Sequence, residues 1–546
     1  MPSSFEVHAY LPDTLESVIE SIITRSNSIF SPEIIRRKPH IEYLKEYLLE
    51  LGAKTVVVES EYIDRDFLED FAGYYVRCFQ PYEKKCSRLH FFEVSISEEE
   101  LRRLLRGTPS GISLQELNDH YLGFIVLKPL PQTIIGRTCI RPYPKEGGRR
   151  EYSTVRRYKA NLFGIALDVE SLAFQEQDSV TAACATSALW SVFHGTGELF
   201  HHFIPSPVEI TKAATEHSPV LSRTLPNKDG LTGEQMAHAI RGVGLEPLHA
   251  GFNDAHVLKA TLLAYLHAKV PAVLGFTLWD ISIQPAAMIG RHAVAVAGYS
   301  LGLTAAKPYP PSDFLLKASR MDKIYVHDDQ IGPFARMVFD TPPLQMRTLN
   351  PGLEYCLSTS WKGKDGKRGS IIAIPDLILI PLYHKIRIPF EVVHQTVIRF
   401  SLFLDLLRSR GVLPTSASPT IEWDIHLTTV NDLKSDLFQS KSFEGIYREK
   451  ILTENMPRFI WRATAYGIEG PILDLLFDAT DIEQGCFFVG AVEYDAGFSH
   501  VLRTVSKLQP LIDHFNTSPE WRIIDWFRKM PVLIPTDSLP PPASPS

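Results

Sequence analysis

Apolar residues recur at both helical and strand-like spacings in the first part of the chain. Helical spacing covers residues 13–23 and 43–52, and Ser97 with Glu100 has the capping-box spacing that begins a further short helix. Apolar runs at 55–59 and 121–127 are typical of strands. We therefore predict an N-terminal α+β region over residues 1–160, whose role the pattern does not indicate.

The order of elements changes between residues 165 and 345. Helical patterns come first, at 183–194, after Thr232 and at 255–268, and strand-like runs follow at 271–278, 292–299 and 323–327. Helices followed by strands favour an antiparallel sheet over alternating βαβ units. The pattern predicts a central α+β domain over 165–345.

A third pattern fills the C-terminal part of the chain. An amphipathic helix is predicted from 390 to 410, ending at Gly411, with strand-like runs at 421–427, 459–465 and 487–492. This predicts a C-terminal α+β region over 346–535, of unknown role. Residues 536–546 are rich in Pro and Ser, so we expect a disordered tail.

Composition excludes several classes of protein. The 546 residues are 45% hydrophobic and carry a net charge of −7, so a broad surface for nucleic acid or acidic membrane is not expected. The most apolar stretch, 371–383, is short and contains Pro375, Asp376 and Pro381, so it does not predict a membrane span. No signal-peptide pattern is visible.

The cysteines indicate a reducing environment. Six cysteines are scattered along the chain without a Cys-x-x-Cys pair, which predicts neither a disulfide framework nor a zinc cluster. We therefore expect reduced thiols and a cytoplasmic location. No cofactor, no metal, no nucleic-acid partner and no membrane partner are expected, and the sequence does not indicate an oligomeric state.

One cysteine has a position that favours chemistry. Cys184 falls in the first turn of the helix predicted at 183–194, where the helix dipole and unpaired N–H groups favour a thiolate. Gln177 lies seven positions earlier, where its amide could donate to an oxyanion beside the Cys184 N–H. The alternative is that Cys184 is a small buried apolar residue, as most free cysteines are.

Two later segments supply the partners that a thiol nucleophile needs. His292 opens an apolar strand and could act as general base and acid. The next strand-like run ends in Asp328 and Asp329, one of which could orient the imidazole. Strand alternation places Asp328 with Val326 and separates it from Asp329, so Asp328 is the better candidate. A core histidine and a solvated Asp-Asp turn are the alternatives.

The order of these residues resembles the papain-like cysteine peptidases, in particular bacterial double-glycine leader peptidases of the bacteriocin-processing type. These also carry a Gly-Leu-Thr-x-x-x-Met helix followed by Gly-Leu, here residues 230–236 and 244–245, and a Pro before a core strand, here Pro271. The resemblance covers about residues 165 to 345. The resemblance implies a cysteine peptidase in which Cys184 is the nucleophile and His292 is the general base. It also implies that Asp328 orients the imidazole and that Gln177 donates to the oxyanion.

The chain also departs from that family. The family usually has Gly directly after the nucleophile or two positions before it, where this chain has Ala185 and Ala182. In addition, residues 307–313 form a Pro-rich insertion that could be a lid or an edge loop. Neither departure removes a reacting group, so we expect hydrolysis of a peptide or isopeptide bond. A thiol acyltransferase or amidase, and a catalytically inactive papain-like binding module, remain as alternatives.

Weaker motifs point elsewhere. Gly298 to Gly302 matches the Gly-x-Ser-x-Gly elbow of serine hydrolases around Ser300, but prolines follow where the elbow needs a helix. The basic residues between Arg149 and Lys159 are more consistent with a solvated β-hairpin than with an anion site. The pair His201 and His202 lacks a third ligand at metal spacing.

Overall fold

The computed structural model describes residues 5–26, 32–178, 180–181, 183–216, 224–225, 230–310, 312–413, 420–442, 445–482, 487–510, 513, 518 and 520–530. The chain forms two compact units. The first comprises Met1–Gly251, Lys269–Ser300 and Asp322–Pro381, and the second comprises Phe252–Ala268, Leu301–Met321 and Leu382–Ser546. The predicted tail, 536–546, lies outside the described residues.

Helices are spread over the whole chain. They are α1 (Pro12–Ser26), α2 (Pro32–Arg36), α3 (Pro39–Glu50), α4 (Arg65–Gly73), α5 (Glu98–Arg106), α6 (Leu114–Asp119), α7 (Cys184–Phe200), α8 (Pro207–Thr215), α9 (Gly233–Gly242), α10 (Ala255–His267), α11 (Leu344–Leu349), α12 (Phe390–Ser409), α13 (Val430–Gln439), α14 (Gly445–Thr453), α15 (Ala496–Val505) and α16 (Trp521–Lys529).

Strands are equally widespread, so the α+β class is confirmed. They are β1 (Phe5–Ala9), β2 (Thr55–Tyr62), β3 (Cys86–Phe92), β4 (Tyr121–Leu127), β5 (Ile135–Ile140), β6 (Arg150–Glu151), β7 (Arg156–Leu162), β8 (Ile165–Ser171), β9 (Glu246–Ala250), β10 (Ala272–Asp280), β11 (Ala287–Leu301), β12 (Pro308–Tyr309), β13 (Phe314–Leu316), β14 (Met321–Asp328), β15 (Gly332–Asp340), β16 (Cys356–Ser358), β17 (Ile371–Leu382), β18 (Glu422–Thr429), β19 (Phe459–Tyr466), β20 (Pro471–Asp478) and β21 (Phe488–Glu493).

Local signals account for several element ends. The Ser97 and Glu100 side chains form the capping box that begins α5. The Thr232 hydroxyl likewise accepts a hydrogen bond from the Gln235 N–H at the start of α9. Helix α12 ends just before Gly411, whose φ of 67° is a left-handed conformation that glycine adopts without strain. These helix ends agree with the predictions from sequence.

The first unit contains two large sheets. Strands β1 to β5 form one antiparallel sheet in sequence order. In the other, β10, β11, β14, β15, β16 and β17 are neighbours in that order, and β17 also pairs with β10, so the sheet closes into a barrel. Strands β6 and β9 pair with β11 and β17, and β7 and β8 form a separate hairpin.

The N-terminal part of the chain shares its core with the barrel. One buried cluster joins Phe91 of β3 to Ala297 of β11 and Tyr325 of β14. Another joins Phe92 of β3 to Trp190 of α7 and Val273 of β10. Residues on either side of position 160 therefore pack into common cores, and residues 346–381 belong to the first unit.

The second unit is built on one six-stranded sheet. Its order is β12, β13, β18, β19, β20 and β21, and only the β13–β18 pair is parallel among those described. Trp423 and Trp461 are fully buried on β18 and β19. The Pro-rich insertion at residues 307–313 contains β12, which lies at one edge of this sheet. Of the two expectations for this insertion, a lid or an edge loop, this position agrees with the second.

Candidate active site

Cys184 is the first residue of α7. The N-cap residue, Ala183, has no side-chain acceptor, so the N–H groups of the first turn are not occupied by a capping side chain. Cys184 is partly exposed, whereas nearly all of the helix that follows is buried. The fold thus holds a thiol at the exposed, positive end of a buried helix.

His292 lies across from this helix terminus within the barrel of the first unit. It occupies the interior of β11, opposite Phe276 of β10, rather than the start of the strand as predicted. The side chain is 3% exposed. Its Nε2 lies 3.0 Å from Asp328 Oδ1 and 3.6 Å from Asp329 Oδ1.

The carboxylates determine the charge of His292. Burial alone lowers the pKa of His292, but the negative charges of Asp328 and Asp329 outweigh it and raise that pKa well above its usual value. A hydrogen-bond interaction with the Cys184 side chain contributes in the same direction. Because Asp328 engages Nε2, Nδ1 is the ring nitrogen that can exchange a proton with the thiol.

The turn after β14 brings both aspartates to the imidazole. Asp328 Oδ1 also accepts from the Gln330 N–H, and the Asp328 carbonyl accepts from the Ile331 N–H. The strand register shifts between Val326 and Asp328, which interrupts the regular strand alternation that predicts opposite faces for Asp328 and Asp329. Asp329 is therefore also buried beside His292, and burial raises its pKa to about 7; it does not face solvent.

Two aromatic rings enclose His292. The ring centroids of Phe276 and Trp361 lie 5.6 Å and 6.1 Å from that of His292, both edge-on. Trp361 lies just after β16 and is itself buried. The His292 and Asp328 side chains are both buried, and a hydrogen bond in such apolar surroundings is stronger than one in water. No local pattern in the sequence indicates Trp361, because its proximity to His292 depends on closure of the barrel.

The segment before α7 is fixed by the N-terminal part of the first unit. Glu176 is buried, forms an ion pair with Lys38 and accepts a hydrogen bond from the Ile135 N–H. Asp178 accepts from the Tyr75 hydroxyl and the Thr181 hydroxyl. These buried contacts hold the backbone that carries the two glutamines and leads to Cys184.

The two glutamines of this segment differ in environment. Gln177, the predicted oxyanion donor, is partly exposed. Gln175 is buried, and its Nε2 has no hydrogen-bond partner among the described residues. A buried amide without a hydrogen bond is costly, so Gln175 has a donor available in the segment that precedes α7.

The other motifs do not form sites in the described residues. Ser300 is fully buried in β11, and the next described element is β12 rather than the helix of a nucleophile elbow. Arg157 pairs with Asp168 across the β7–β8 hairpin, and His202 bonds to Thr196 and Phe203. In the part of the chain described, one group of three potential metal ligands occurs, at His292, Asp328 and Asp329.

Comparisons with protein-family models, with curated proteins and with solved structures found no match for the chain. None of the described helices combines the length and the apolar composition that crossing a bilayer requires.

Proposed function

We propose that the protein is a thiol hydrolase of the papain-like type that cleaves a peptide or isopeptide bond. The observation that carries this is the linked set Cys184, His292 and Asp328, in which a buried, carboxylate-bound imidazole interacts with a thiol at a helix N-terminus. Each part performs a different task in acyl transfer.

The proposed reaction begins with proton transfer. His292 Nδ1 takes the proton from the Cys184 thiol, and the raised pKa of His292 favours the resulting imidazolium and thiolate. The thiolate attacks the carbonyl carbon, and the imidazolium then gives its proton to the leaving amine as the C–N bond breaks. Water, deprotonated by His292, hydrolyses the thioester and regenerates the thiol.

The helix terminus and the preceding glutamines are suited to the oxyanion. The Cys184 N–H points from the uncapped first turn of α7, and a side-chain amide from Gln177 or Gln175 completes a pair of donors. Gln177 has the spacing of the family, whereas Gln175 has the unpaired donor. We retain Gln177 as the proposed donor, with Gln175 as the alternative.

The substitution of Gly by Ala after the nucleophile does not favour the inactive alternative. Ala185 is 2% exposed and belongs to the buried core that contains Trp190, so its methyl group packs inward. Ala182 lies outside the described residues. The reacting groups that the family requires are all present.

The deciding experiment is labelling with a peptide-based electrophile on the intact protein, followed by mass spectrometry. Rapid modification of Cys184 that requires His292 supports the proposal, and uniform slow modification of all cysteines favours the binding-module alternative. Product analysis with water and with added amines separates a hydrolase from an acyltransferase, because only the latter transfers the acyl group mainly to the amine.

A further inference from the structure

Three buried side chains converge beside the proposed nucleophile. One potential ligand atom from each of His292, Asp328 and Asp329 lies within 4.8 Å of the other two. All three residues are at least nine-tenths buried, with exposures of 3%, 0% and 3%. One imidazole and two carboxylates form a ligand set that divalent zinc-like cations accept.

Most of the carboxylate oxygens in this cluster lack hydrogen-bond partners among the described residues. Asp328 Oδ2 and both Asp329 oxygens are buried without a hydrogen bond among the described residues. A papain-like mechanism uses only one carboxylate oxygen to orient the imidazole, which here is Asp328 Oδ1. Three buried oxygens without a hydrogen bond are more acceptors than that role requires, and burying carboxylate oxygens in this way is costly.

Neighbouring cations do not compensate these carboxylates. The Lys38 ammonium pairs with Glu176, and His40 Nε2 bonds to the Asp329 backbone carbonyl rather than to its carboxylate. In the described part of the chain, His292 is the one basic side chain within ion-pair distance of either aspartate. The cluster thus presents two carboxylates to a single imidazole.

We propose that His292, Asp328 and Asp329 form a binding site for a divalent cation of the zinc class, and that occupancy of this site inactivates the thiol. This regulation rests on the proposed hydrolase function, whereas cation binding itself does not. A neutral imidazole that gives its Nε2 lone pair to a metal carries its proton on Nδ1. His292 then has no free nitrogen to accept the Cys184 proton.

Binding is tested first in the Cys184→Ala variant, so that the thiol cannot be the ligand. Titration with Zn²⁺ by calorimetry, and with Co²⁺ followed by visible absorption, should show one site that Asp329→Asn weakens by at least about tenfold, since even groups outside the coordination sphere affect affinity by that much. Asp313→Asn, at an exposed position, is the matched control. Binding that is equal in both variants would show an adventitious site and overturn the proposal.

Asp328→Asn gives a second variant in case Asp329→Asn does not fold. It should also weaken Co²⁺ binding and change the absorption spectrum. If neither variant alters the titration, or if Cys184→Ala binds no Zn²⁺, the proposal is wrong.

Regulation is tested separately in the wild-type protein. Zn²⁺ should suppress electrophile labelling of Cys184, and a chelator should restore it, with a weaker effect in Asp329→Asn. Labelling of Cys184 that Zn²⁺ does not suppress overturns the regulatory part and leaves the hydrolase proposal intact. A wild-type protein that is not labelled even with chelator overturns the hydrolase proposal, and with it the regulation, while the binding result in Cys184→Ala stands.

Discussion

Each unit of the molecule contains a buried histidine next to an aspartate, and the two clusters differ in their surroundings. In the first unit, His292 faces two carboxylates. In the second unit, His426 Nδ1 lies 3.6 Å from Asp424 Oδ1, while the Lys317 ammonium lies 2.6 Å from Asp424 Oδ2. One aspartate is therefore shared between a histidine and a lysine in the second cluster.

Charged neighbours shift the pKa values of histidines in opposite directions in the two clusters. The rings of His267 and His426 are tilted by 30° with their centroids 3.8 Å apart, and the charge of His426 together with burial lowers the pKa of His267 to about 3. In the first unit the uncompensated carboxylates raise the pKa of His292. None of the described cysteines lies in the second unit. Among the described residues, the first cluster thus differs from the second in its excess of negative charge and in the thiol that interacts with its imidazole.

We expect the largest loss of activity when the proposed nucleophile is removed. Cys184→Ala should abolish both turnover and electrophile labelling, because no other group in the site can form the thioester. Cys78→Ser is the matched control, since Cys78 is also partly exposed but lies outside the cluster. Burial raises the pKa of Cys139 to about 12, so that thiol should label slowly. Ser300→Ala should leave turnover intact. Loss of turnover in this variant would indicate a serine hydrolase.

Loss of the base should come next. His292→Ala should reduce turnover by about 10² to 10⁴, the usual contribution of general acid–base catalysis. The corresponding change in the second cluster, His426→Ala, should leave turnover per folded molecule unchanged. Steady-state kinetics on both variants, with circular dichroism to establish folding, makes the comparison. Equal losses would mean that the first cluster has no special role.

Removal of an oxyanion donor should have a smaller effect. Gln177→Ala should slow turnover by roughly 10² to 10³ with little change in substrate binding, because the oxyanion exists only in the transition state. Labelling by a small electrophile should persist. If Gln175→Ala shows this behaviour and Gln177→Ala does not, the buried amide of Gln175 is the donor.

The smallest expected effect is a shift in pH dependence. The negative charge of Asp328 favours the His292 imidazolium, so Asp328→Asn should lower the pKa of His292 and move the basic limb of the pH profile of turnover to lower pH. Asp329→Asn should shift it in the same direction and by less, since its oxygen is farther from Nε2. The control Asp424→Asn should leave the profile unchanged. A profile unaffected by Asp328→Asn would contradict the assigned ion pairing.

Local sequence signals located individual elements but carry no information on contacts between distant segments. Capping boxes and apolar spacing located α5, α9 and α12 because those signals act within a few residues. Phe91 and Tyr325 lie far apart in sequence but share one core, and no local pattern reports such a contact.

The sequence by itself determined the α+β composition, the start of α7 at Cys184 and the end of β14 at Asp328, since each depends on neighbouring residues. Tertiary structure decided which of these groups meet. The register shift after Val326 turns Asp329 towards His292, closure of the barrel places Trp361 against the same ring, and Lys38 and Tyr75 fix the segment before Cys184. These contacts arise from packing between distant segments, which residue spacing along one strand or helix does not encode.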